Sequence, residues 1–219
     1  MRHKKLKLGA ILLLCTGLTG LQAQDTVKDA DGNAYNTITI GKQIWMAENL
    51  KTTKYNDGTA IPYMSDSTSF LITTDPVYYL YNNDKTNKSI FGLLYNWFVL
   101  NTRKLCPAGW HVPAYEEWTT LITVLGGEKV AGGKLKETGT KHWDSPNAGA
   151  TNVTGFTALP GGYRSIYACE GIGIYGAWWS VTEYGDAGAY VREVGNFDGK
   201  MSWNVPSKSC GFSVRCLKN

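Results

Sequence analysis

CPAGWHVPAYEEWTTLITVLGG, Cys106 to Gly127, joins a cysteine, a histidine, two adjacent glutamates and two tryptophans to an apolar run that ends in Gly-Gly. Trp118, Leu121, Ile122 and Leu125 recur at i, i+3, i+4 and i+7, the spacing of one buried face of an α-helix. Pro113 suits the first turn, where its missing N–H is not needed. Gly126-Gly127 supplies the left-handed residue that ends such a helix. Glu116 and Glu117 then lie near the helix N-terminus, where the dipole favours carboxylates. One of them is expected to cap or ion-pair locally and the other to be solvated. A second, shorter helix is expected around KVAGGKLKE.

Outward from this helix the pattern changes to short strands and turns. VKDADGNAYNTITIGKQIWMAENL, Val27 to Leu50, alternates apolar residues on either side of Gly41 and predicts a β-hairpin. Asp29-x-Asp31-x-Asn33 within it resembles the start of a calcium loop. Ala34 follows where such a loop needs glycine, and Ile40 occupies the place of its bidentate glutamate, so a plain turn is expected. Residues 51 to 90 are polar and turn-rich apart from Tyr78–Tyr81. GLLYNWFVL, Gly92 to Leu100, is buried strand or short helix; its periodicity does not choose. Lys141 to Arg164 is nearly all turn formers and reads as a long ordered loop. YGAWWSVTEYG, AYVREVGNF, KMSWNV and CGFSVRCLKN read as strands.

The first 23 residues read as a secretory signal. Arg2, Lys4, Lys5 and Lys7 precede an apolar run from Leu8 to Leu14, and Leu21 and Ala23 mark a cleavage site. That run is shorter than the roughly 20 residues a bilayer requires. Leu14 is a poor neighbour for lipidation of Cys15. The expected organisation is therefore a signal peptide over 1–23 and one domain over 24–219, placed in the periplasm, on the outer surface or outside the cell. The leader holds four of the 22 basic residues and none of the 18 acidic ones, so the remainder balances 18 against 18. That balance gives no basic surface for nucleic acid. Cys106, Cys169, Cys210 and Cys216 survive processing, an even number that in an exported chain reads as two disulfides with three possible connectivities.

Six segments in order resemble one family: DGNAYNTITIGKQIWMAENL, GLLYNW, CPAGWHVPAYEEWTTL, AGGKLKETGTKHWDSPNAGATNVTGFTALPGGYR, GAWWSVTE and GFSVRC. They are similar to the Fibrobacter succinogenes major paralogous domain, whose members are exported proteins of Fibrobacter and Bacteroidota without an assigned activity. More distantly, HVPAYEEW with the terminal GFSVRC resembles the superfold shared by C-type lectins and formylglycine-generating enzymes. That resemblance implies an α+β, C-type-lectin-like fold: short antiparallel strands, one or two helices and long ordered loops, with N- and C-terminal strands paired. It also implies a Cys106–Cys216 disulfide and a binding face made by the loops. Cys169 and Cys210 depart from the family pattern, and the simplest expectation is that they pair with each other.

Catalytic readings of these residues fare poorly. A Cys106–His111 pair needs a free thiol. Glu116 and Glu117 point about 100° apart on a helix and cannot flank one bond as glycosidase carboxylates do. Cys210 and Cys216 lack the surroundings of the formylglycine-generating cysteine pair. His111 and His142 show no zinc spacing, and no cofactor is implied. Calcium-dependent sugar binding is unsupported, since only Trp203-Asn204 of its signature is present and Val205 follows. The expectation is a non-enzymatic domain that binds a glycan or a cell-surface protein, with a structural or adhesive role as the competing class and an enzyme of unknown chemistry as the third. Its expected contacts are Trp143, Asp144, Asn147 and Asn152 in the long loop, with Tyr167, Tyr175, Glu183 and Tyr184 beside it. Aromatic faces next to amides and carboxylates suit sugar rings.

Overall fold

The computed structural model describes residues 25–65 and 72–219; the expected signal peptide and Cys15 lie outside them. Strands β1 (Thr26–Lys28), β2 (Ala34–Ile40) and β3 (Gln43–Met46) open the fold. β2 and β3 form the expected hairpin, with Ile40 opposite Gln43 and Gly41 at φ +63° in the turn. The Asp29 turn is self-contained. Its carboxylate accepts the backbone N–H of Asp31 and Asn33, the Asn33 amide and the Tyr35 hydroxyl, which leaves it committed to the protein.

β4 (Tyr78–Tyr79), α1 (Lys85–Phe91), β5 (Leu94–Tyr95) and α2 (Trp97–Asn101) follow. Helix α1 was not expected. It buries no side chain and so carries no apolar stripe, but Asp84 caps it by accepting from Thr86 N–H. GLLYNWFVL resolves into both alternatives, a strand and then a helix capped by Asn96.

β6 (Trp110–His111) leads into α3 (Tyr115–Val124) and α4 (Glu128–Leu135). All four stripe residues of the opening stretch are buried, from Trp118 to Leu125. Pro113 lies outside the helix, one residue before the N-cap Ala114, because its ring fixes the extended entry rather than the first turn. Glu117 caps the helix by accepting the Ala114 N–H at 2.8 Å, while Glu116 is exposed. Gly126 and Gly127, at φ +95° and +96°, end α3.

The chain closes with β7 (Gly161–Arg164), β8 (Cys169–Ile172), β9 (Tyr175–Tyr184), β10 (Gly188–Gly195), β11 (Ser202–Asn204) and β12 (Leu217–Lys218). Among the described residues the strands form a five-stranded sheet β1-β2-β3-β12-β6, a three-stranded sheet β11-β10-β9, and the pairs β4-β5 and β7-β8. The architecture is thus α+β and largely β. Early and late strands pair, with Leu217 between Trp45 and His111.

CGFSVRCLKN is a strand only at its end, because residues 211–216 bond to several elements in turn. Tyr95 and Phe212 exchange backbone bonds, Trp179 N–H donates to Ser213, Leu50 N–H to Val214 and Met46 N–H to Cys216. Cys216 is joined to Cys106, with Cα atoms 6.0 Å apart. Cys169 and Cys210 are not joined in a disulfide, contrary to expectation. The backbone of Arg164 runs between them: it bonds to Gly211 on one side and faces Cys169 as its antiparallel partner on the other. Two strand spacings of about 4.8 Å exceed the roughly 4.4–6.8 Å Cα separation a disulfide spans.

Three hydrophobic clusters result among the described residues, two of them built on tryptophan. One gathers Trp45, Trp118, Phe156 and Trp178, and the other Tyr35, Tyr95, Trp97 and Trp179. Buried cations tie the irregular chain to the first. Arg215 is 1% exposed, with its guanidinium 4.0 Å from the Phe156 ring centroid. It donates to the Asn49 side chain and to the carbonyls of Phe156 and Thr157. Lys136, fully buried, donates from Nζ to the carbonyls of Ala148, Gly195 and Asp198 at 2.9, 2.8 and 2.8 Å. Burial pulls its ammonium down to about 8, so it keeps its charge at neutral pH.

Two stability predictions follow from this packing. Replacing Lys136 by Met leaves three carbonyls without that donor and is expected to cost about 2–4 kcal/mol in urea unfolding. Gly132 lies inside α4, where alanine is intrinsically favoured by roughly 1 kcal/mol. A Cβ there would lie 2.1 Å from the Lys200 carbonyl oxygen, so Gly132→Ala is expected to lower stability by about 1–3 kcal/mol. An increase in stability would contradict that packing.

Candidate functional site

The long loop was expected to hold the ligand contacts, and most of its polar and aromatic groups are occupied in holding the loop itself. Trp143 is 1% exposed and donates its indole N–H to the Ala158 carbonyl, with Lys136 Nζ 5.3 Å from its ring. Its face is closed to a sugar, so the expected stacking role is corrected to a core one. Asn147 is buried at φ +43° and donates to the carbonyls of Glu137 and Gly139. Asn152, at φ +47°, exchanges two hydrogen bonds with Thr157. Both amides close turns, the ordinary work of asparagine in the left-handed region. Asp144 is exposed and its backbone N–H bonds to Gly173.

The remaining four expected residues fall in two places. Tyr167, 61% exposed, lies in the turn between β7 and β8. Tyr175 is half-buried against Tyr163 and Phe197. Glu183 and Tyr184 stand together at the end of β9, and there an exposed aromatic surface is found. Tyr190 of β10 lies 4.5 Å from Tyr115 of α3, 5.4 Å from Tyr184 and 5.8 Å from Trp203 of β11, between ring centroids. Tyr184 is 58% and Trp203 50% exposed.

The sheet explains why these rings meet. Arg192 is paired across the sheet with Trp178 on one side and Trp203 on the other. Trp178 packs against Trp118, so the row begins in the core under α3 and ends in solvent on the outer strand. Arg192 anchors it: its guanidinium lies 4.6 Å from the Tyr115 ring centroid and donates to Glu128 and Thr119. A register irregularity between Ala189 and Val191 accompanies the outward placing of Tyr190. Alongside, Tyr184, Asp186, Val205, Pro206 and Ser207 line a shallow groove of about 470 Å³. Lys208 fixes its rim, with Nζ 3.3 Å from the Glu183 carboxylate and donating to the Asp186 carbonyl.

Tyr115, Tyr190 and Trp203 were not among the expected contacts. The alternation in AYVREV and KMSWNV could have placed the last two outward. Their meeting with Tyr115 depends on how α3 sits on the sheet, which no local pattern encodes.

The groups that first resembled an active site are accounted for. Cys106 is in a disulfide. Both ring nitrogens of His111 are engaged, Nδ1 with Asn219 Oδ1 at 2.7 Å and Nε2 with Glu117 at 2.9 Å. Burial pushes the Cys210 thiol up to about 11, away from thiolate chemistry at neutral pH. Among the described residues no three His, Cys, Asp or Glu side chains converge to hold a metal ion. No helix among them is long and apolar enough to cross a membrane.

Comparison with curated proteins and with solved structures gave no match. Residues 38–218, from the second strand through the last, match the Fibrobacter succinogenes major domain. That span contains the hairpin from Ile38, α3, the long loop and the aromatic sheet, and the chain belongs to this family.

Proposed function

We propose that this chain is an exported, non-enzymatic binding domain with a C-type-lectin-like fold, and that it takes a saccharide on the Tyr115–Tyr184–Tyr190–Trp203 surface. The observation that carries the reading is the half-exposure of Tyr184 and Trp203 in a set of rings braced by Arg192. Rings held rigidly at a surface lose little entropy on binding and offer their faces to the apolar C–H side of a sugar. The neighbouring groove adds Asp186 and Ser207, which can bond hydroxyls. Export rests on the leader. The lectin-like fold is supported by the pairing of early and late strands and by the Cys106–Cys216 link.

The competing reading, a protein partner in a surface assembly, has one observation in its favour. β11 is an exposed outer strand, and all three of its residues face solvent, so another strand could add to it.

A glycan array with and without EDTA, followed by titration of the best hit, separates the two. Binding is expected in both conditions. Trp203→Ala and Tyr184→Ala are each expected to weaken it about tenfold, the equivalent of about 1.4 kcal/mol. Absence of binding across the array, or binding indifferent to both substitutions, sinks the saccharide reading. Capture of an envelope protein in a pull-down, lost on Trp203→Pro, would then favour assembly.

A further inference from the structure

The opening stretch holds a second feature, independent of the aromatic surface. Between α2, β6 and the start of α3 lies a cavity of about 410 Å³, within the roughly 300–1,000 Å³ range of small-molecule sites. Leu100, Leu105, Trp110, Val112 and Val181 give it apolar walls, and Arg103, His111 and Glu117 are its charged or titratable side chains.

Two of those three are committed. Both His111 nitrogens and both Glu117 oxygens are hydrogen-bonded, to each other, to Asn219 and to the Ala114 N–H. Arg103 differs. Among the described residues its side chain has no ion pair or hydrogen bond, and it is exposed. It stands just past the C-cap Thr102 of α2 at φ +57°, the left-handed position that helices ordinarily give to glycine. A guanidinium is therefore kept beside an apolar cavity at a backbone position that disfavours its side chain, and without a carboxylate partner.

We propose that this cavity binds an amphipathic organic carboxylate, its apolar part against Leu100, Leu105, Val112 and Val181 and its carboxylate on Arg103. A guanidinium offers a carboxylate two parallel N–H donors. A neutral ligand would leave the cation unused, and a cationic one would meet it as a like charge.

Titration calorimetry of the mature chain with octanoate, and with 1-octanol as the neutral match, tests this. Octanoate is expected to bind at least tenfold more tightly than the alcohol. Arg103→Gly removes the guanidinium and suits the positive φ, so the fold is retained; it is expected to reduce octanoate affinity at least tenfold and leave the alcohol unchanged. Val181→Trp, which fills the cavity, is expected to abolish both; should that variant fail to fold, the Arg103→Gly comparison decides alone. Trp203→Ala is expected to leave octanoate binding intact, which separates this site from the saccharide surface. Octanoate that does not bind, binds no better than the alcohol, or is indifferent to Arg103→Gly overturns the proposal.

Discussion

A long irregular loop can be packed against a core only if its backbone carbonyls find donors there, and in this fold two buried cations supply them. Lys136 gathers carbonyls from three separated points of the chain, at Ala148, Gly195 and Asp198. Arg215 takes those of Phe156 and Thr157 while lying against the Phe156 ring. An ammonium or guanidinium carries several donors on one rigid head, so a single side chain can satisfy chain that forms neither helix nor sheet. The charge stays buried because its partners are strong dipoles and aromatic faces rather than water.

The place of the proposed binding surface follows from that constraint. With Trp143, Asn147 and Asn152 spent on internal geometry, the loop from 141 to 164 behaves as part of the core. Exposed aromatic residues that meet one another are found at the outer end of the three-stranded sheet, where the Trp178–Arg192–Trp203 row runs out from under α3. Surface aromatics there are held by a sheet, which fixes their orientation more firmly than a mobile loop would.

Much of the frame was legible in the residues. The α3 stripe, a local cap or ion pair from one of the two glutamates, the Gly41 hairpin and the Asp29 turn all rest on local rules of spacing and hydrogen bonding, and all are present. Cys106–Cys216 was legible only through family resemblance, since four cysteines leave three pairings open. The Cys169–Cys210 expectation failed because cysteine counting ignores strand order, and Arg164 runs between the two. The site was less legible than the frame. Loop composition marks aromatics and amides as available, but Trp143 is closed off by Ala158 and by Lys136, whose ammonium also reaches Ala148, 12 residues away, and Asp198, 62 away. Of the exposed ring cluster, Tyr184 was among the expected residues, whereas the meeting of Tyr115, Tyr190 and Trp203 depends on the packing of α3 on β10.

The central claim, that the 141–164 loop packs as part of the core, is open to one direct measurement. In native-state hydrogen exchange, the amides of Ala148, Thr151 and Ala158, which bond to Asn196, Gly133 and Leu135, should exchange through the same global opening as Trp179 in β9. Their opening free energies should then converge on that of the whole domain. Exchange of these loop amides with an opening free energy near zero, while Trp179 remains protected, would show a loop free to move over the core and would contradict the account.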